Sequence, residues 1–181
     1  LHRIGILYMN KNSYAEATIY YQKALQIKKE IGDKKGTADV TSNMGVVDCD
    51  QGNYAGALEK YFSALKIREE IKDWHGNAIS LMSIANIYYL QNDFKTALDF
   101  CFQALKIKDI EKHQYFIAET HTNIGMAYFQ LKDYQKALNY YGSAMKIDEE
   151  MGDKQGIAIA KSNIASVYFI RKDYQKAVDL L

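Results

Sequence analysis

Apolar positions in this chain fall at spacings of three and four, and the pattern returns forty residues later. Between Asn53 and Ile71 the apolar set is Tyr54, Ala57, Leu58, Tyr61, Ala64, Leu65 and Ile71, which lie on one face of a helix. This is the second helix of its unit, and the preceding stretch, Asp33 through Gln51, predicts the first. Small residues keep the register at Gly5, Gly45, Ala85, Gly125 and Ala165, and again at Ala17, Ala57, Ala97, Ala137 and Ala177. A third series is Ala24, Ala64, Ala104 and Ala144, and aromatic rings run beside them at Tyr14, Tyr54, Phe94, Tyr134 and Tyr174. A fixed period of this length marks stacked supersecondary units that complete one another's core.

Polar punctuation sets the ends. Ser13, Asn53, Asp93, Asp133 and Asp173 precede the second helix of each unit, where a short side chain accepts from free first-turn amides. Ser13 and Glu16 have the spacing of a capping box. Gly32-Asp33 and Gly152-Asp153 predict a left-handed stop followed by a new helix start. Short loops between helices of this length force antiparallel neighbours. The expected fold is all-α, a right-handed superhelical solenoid of antiparallel helix hairpins. Its units would run over about 1–32, 33–72, 73–112, 113–152 and 153–181 of a single array, the first and last truncated.

These residues resemble the tetratricopeptide repeat: Gly125-Met126-Ala127-Tyr128 with Ala137, Tyr141 and Ala144 follow its pattern, and the resemblance covers the whole chain. A Gly or Ala lets two helices approach, and a tyrosine fills the gap beside it. The family's usual tryptophan is replaced by Leu1, Thr41, Leu81, His121 and Lys161, and its terminal proline by Lys29, Glu69, Asp109 and Glu149. The longer unit is similar to those of Gα-anchoring spindle-orientation scaffolds and of bacterial peptide-sensing regulators and sensor kinases.

The resemblance implies that the first helices line a concave groove that receives a peptide or helix of a partner protein. Carried onto this sequence, the groove comprises Asp39, Val46, Asp50, Met82, Asn86, Tyr89, Leu90, Glu119, Met126, Phe129, Ser166 and Phe169. A neighbouring series, Asn43, Ser83, Asn123 and Asn163, either grips a peptide backbone or bridges to the adjacent hairpin. The lining is apolar and aromatic with acidic groups and no Lys or Arg. It lacks the cations that hold a C-terminal carboxylate and suits a ligand with apolar anchors and a Lys or Arg toward the N-terminal repeats. The alternative is a sensory or regulatory segment of a larger signalling protein.

Composition narrows the rest. The 181 residues include no proline, consistent with helix nearly throughout. A net charge of +1 and no basic stripe beside the 15 tyrosines argue against nucleic acid. No 18-residue apolar run suggests membrane insertion. Cys49 and Cys101 form no CxxC, and His2, His75, His113 and His121 show no metal spacing, so neither metal nor cofactor is expected. His121 stands at a core position. No catalytic constellation or phosphate loop is present, so an enzyme is not expected. Runs such as Arg68-Glu69-Glu70 and Asp148-Glu149-Glu150 read as solvated helix ends. At the third-to-fourth junction Phe116 replaces a glycine and Glu111 an apolar residue. There either packing adjusts, or Trp74, Tyr115 and Phe116 offer a second contact surface. The start at Leu1, already in register, suggests a piece of something longer, whose uncapped ends would associate end to end. Unpaired cysteines fit a cytoplasmic setting, with the periplasm as the alternative.

Overall fold

The computed structural model describes residues 1–107 and 110–180, without the Glu111 side chain. Expectations placed on Asp109, on the Glu111 side chain and on Leu181 lie outside the described residues. The elements are α1 (His2–Met9), α2 (Tyr14–Glu30), α3 (Lys34–Asp50), α4 (Tyr54–Glu70), α5 (Trp74–Leu90), α6 (Phe94–Leu105), a 3-10 turn (Ile110–Lys112), α7 (Gln114–Gln130), α8 (Tyr134–Met151), α9 (Lys154–Ile170) and α10 (Tyr174–Asp179). Among the described residues there is no strand. Contacts divide the chain into two compact units, Leu1–Ile87 and Tyr88–Leu181.

In the first unit, Ala17, Tyr21 and Ala24 of α2 pack with Val40 and Val47 of α3. In the second, Ala137 and Tyr141 of α8 pack with Ile164 and Val167 of α9. The small residues act as sequence spacing suggests. A Cβ added at Gly45 would meet the Tyr61 ring at 2.8 Å, and one at Gly125 the Tyr141 ring at 2.6 Å. Each glycine therefore seats the tyrosine of its own hairpin, and burial raises the pKa of both phenols.

Caps follow the polar punctuation with two exceptions. Asn53 accepts from the Gly56 amide, Asp93 from Thr96 and Asp133 from Lys136. Ser13 and Asp173 make no side-chain cap bond, so the expected capping box at Ser13 and Glu16 does not form. Asp173 instead holds Lys176 at 2.7 Å. Gly32 and Gly152 are left-handed, both at φ 71°, as expected. The turn inside each hairpin is left-handed as well, at Asn12, Gly52, Asn92, Lys132 and Lys172. There the Asp133 amide donates back to the Tyr128 carbonyl and the Lys132 amide to Phe129, closing the helix end.

Two expected solvated charges are buried. Arg68 and Asp148 are each only 4% exposed. Both continue the inward face, seven residues after Tyr61 and Tyr141, and each runs beneath the following helix where a glycine admits it. A Cβ at Gly76 would lie 2.7 Å from the Arg68 Cδ, and one at Gly156 would strike the Asp148 carboxyl. The junction residue Phe116 is buried, so it offers no outer surface, while Tyr115 and Trp74 are exposed.

Candidate functional site

The first helices of the second unit bring several expected groove residues together. Tyr89, Met126, Phe129, Asn163 and Ser166 line one cleft with Gln130 and Tyr141. Phe129, Ser166 and Phe169 line an adjoining cleft of about 380 Å³ with Ser162, Ala165, Ile170 and Ala177. Its walls are mainly apolar, and Phe169 is 61% exposed. Burying such a ring against a partner removes apolar surface from water, which is the dominant favourable term in association.

The periodic aromatics hold these rings in place. Tyr89 meets Phe94 edge-on at 5.4 Å, Phe129 lies against Tyr134 at 5.7 Å and Phe169 meets Tyr174 edge-on at 5.5 Å. Gln130 donates to the Tyr89 hydroxyl at 3.2 Å. A ring braced before contact loses little rotamer freedom on binding. The corresponding first-unit positions are Met9 and Cys49, so the array of rings belongs to the second unit.

The remaining expected residues are placed differently. Met82 is 8% exposed and packed in the core of the first unit, so it is no open anchor there. Val46, Asp50, Asn86 and Leu90 are exposed, and Asn123 is half-buried. Asn43 bonds the His2 ring at 2.7 Å, bridging α3 to α1. Its place in the asparagine series is therefore occupied by a neighbouring helix, whereas Asn163 lines a cleft. Asp39 is held by Arg68 at 2.8 Å. The cation that sequence reasoning assigned to a ligand is supplied to Asp39 from within the protein.

Arg68 itself has three partners. One terminal nitrogen donates to the Ser80 hydroxyl at 2.7 Å and to the Gly76 carbonyl at 3.2 Å, and the other to Asp39. This residue was missed because it closes a helix beside two glutamates. The signal that would have found it is the heptad step from Tyr61.

Glu119, the expected acidic group of the second unit, lines a separate niche with Asp148, Asp153, Tyr115 and Gly156. Its pKa is raised by desolvation, as is that of Asp148. His121 packs edge-on to Tyr140, and desolvation lowers its pKa. Burial pushes the Cys101 thiol up to about 12, where it is an inert packing group. Cys49 is half-buried, with its pKa raised as well. No described helix is long and apolar enough to cross a membrane.

The profile of the tetratricopeptide repeat matches residues 1–70, 36–109 and 116–181. No curated protein matches the chain. Among solved structures, BtubC from P. vanneervenii is similar at 21% identity and TM-score 0.85, over 98% of this chain and 74% of that one. The apo form of RapI is similar at 20% identity and TM-score 0.83, over 97% of this chain and 49% of that one. A Rap protein complexed with competence and sporulation factor is similar at 20% identity and TM-score 0.83, over 99% of this chain and 50% of that one. The chain thus spans about half the length of these two Rap structures. At such identities the likeness establishes the fold.

Proposed function

The chain belongs to the tetratricopeptide repeat family, and from that premise we propose that it is a non-catalytic interaction module. Its second unit receives an apolar peptide or helix of a partner protein across Tyr89, Met126, Phe129, Ser166 and Phe169. The observation that carries this reading is the run of three braced rings, half-buried at Tyr89 and Phe129 and exposed at Phe169, beside two adjoining clefts, one mainly apolar and one of mixed polarity. Helix-in-groove and extended-peptide recognition both work through such anchors, with charges fixing register. A Rap protein of the same fold was solved with competence and sporulation factor bound, which supports a peptide-like ligand here.

A second reading is that this chain is the sensory or regulatory segment of a larger signalling protein. It is supported by the likeness in fold to the Rap structures. The two readings share the same binding surface.

Peptides selected on the full chain by display, and measured by calorimetry, test the site. The double substitution Tyr89→Ala with Phe129→Ala should weaken binding by about 2 kcal/mol or more, with helicity unchanged. Affinity equal to that of the parent chain would remove these clefts as the site.

A further inference from the structure

The niche between α7, α8 and α9 occupies the place that Arg68 fills in the first unit. Two repeats separate Asp39 from Glu119, Arg68 from Asp148, Asp73 from Asp153 and Gly76 from Gly156. In the first unit the Arg68 guanidinium lies in this space, reaching Asp39 at 2.8 Å across Gly76. In the second unit the arginine is an aspartate, two side-chain carbons instead of a long stem and fork. The acid opposite is retained as Glu119 and the glycine as Gly156. What remains is a niche of about 180 Å³ lined by Glu119, Asp148 and Asp153, with Tyr115 also on its wall.

We propose that this niche binds the guanidinium of an arginine side chain carried by the partner. Asp148 is 4% exposed and has no cation or hydrogen-bond donor among the described residues. A buried carboxylate without a partner is costly, and a charge-assisted pair removes that cost. The volume suffices, since an enclosed cavity of about 150 Å³ admits a benzene ring. The chemistry suits a planar fork better than a metal ion. Among the described residues no three His, Cys, Asp or Glu side chains are grouped to hold a metal. An aromatic ring such as Tyr115, 65% exposed, offers a face on which guanidinium stacks more readily than ammonium. Asp153 keeps one oxygen for the Gln155 and Gly156 amides and has the second for the ligand. Arg68 shows that the same backbone frame accommodates the group.

This site rests on the peptide-binding reading only for the source of the arginine, so the test uses a small probe. Argininamide is titrated into the isotopically labelled full chain, with citrullinamide as its neutral counterpart, and amide shifts are followed. Saturable shifts at Tyr115, Glu119, Gln155 and Gly156 are expected with argininamide and not with citrullinamide. Glu119→Gln, a change at an exposed side chain, should weaken binding about tenfold. Asp148→Arg, which fills the niche from within, should abolish it. Absence of saturable shifts, equal response to citrullinamide, or undiminished binding by Glu119→Gln would each overturn the proposal. Tyr89→Ala with Phe129→Ala should leave this titration unchanged, so failure of the apolar clefts and failure of the niche are separately visible.

Discussion

The Arg68 guanidinium lies 2.8 Å from the Asp39 carboxylate, although Arg68 is on α4 and Asp39 on α3. Almost all of the arginine side chain is buried, while 41% of the aspartate side chain remains accessible. The two ends of the pair therefore respond differently to loss of the other.

Removing the arginine should be the more damaging change. Arg68→Ala leaves the Ser80 hydroxyl and Gly76 carbonyl without their donor and opens a void beneath α5, at a cost of about 3 kcal/mol. Asp39→Ala should cost about 1–2 kcal/mol, because the guanidinium keeps its other two partners. Urea unfolding of the full chain separates the two, and equal losses would contradict the asymmetry.

A second test concerns the glycine–tyrosine seat. Gly125→Ala should destabilise by about 1–3 kcal/mol, since its methyl would overlap the Tyr141 ring. Tyr141→Cys should also destabilise, by leaving a cavity. Combined, the two should cost less than their sum by about 1 kcal/mol, the mark of a shared contact. Strict additivity would show that the ring and the glycine are independent.

Backbone strain gives a gain rather than a loss. Lys132 adopts φ 62° in the turn between α7 and α8, a region that costs a residue bearing a Cβ about 1–2 kcal/mol. Part of this is regained in the unfolded chain, so Lys132→Gly should stabilise by about 0.5 kcal/mol. A lower denaturation midpoint would refute it.

The buried acid predicts a pH dependence. Burial, and then the neighbouring Asp153, raise the Asp148 pKa above its ordinary 3.8. Its contribution is thus fully favourable below about pH 3.8 and is lost as pH rises through the folded value. Asp148→Asn should therefore raise the thermal midpoint at neutral pH and have little effect below pH 3.8. A difference of the same size across the range would assign the effect to shape and not to charge.

The hairpins were legible because their signal is repeated: Gly45, Ala57, Tyr61 and Ala64 each have counterparts one or more repeats away. Cap residues were legible at Asn53 and Asp133, but not at Ser13, whose side chain leaves the amides alone. The rings at Tyr89, Phe129 and Phe169 were placed by register, and the structure adds their bracing by Phe94, Tyr134 and Tyr174. Met82 failed because the same register does not report how deeply a neighbour covers it. Arg68 and Asp148 were illegible for a different reason. A charged residue at a helix end looks solvated unless the glycine eight residues later is recognised as the opening that admits it.

The glycine–tyrosine seat is completed within one hairpin, whereas the long side chain at Lys28 or Arg68 reaches the glycine of the next. A hairpin copied or exchanged during gene duplication would carry its own seat intact but inherit a stranger at the crossing. Swapping the segment from α3 through α4 elsewhere in the chain would preserve Gly45 against Tyr61 and leave Arg68 needing a glycine in its new neighbour. Phe116 stands where that glycine would be required. Such an exchange is therefore tolerated beside Gly156 and obstructed beside Phe116, and the order of the repeats is not freely permutable.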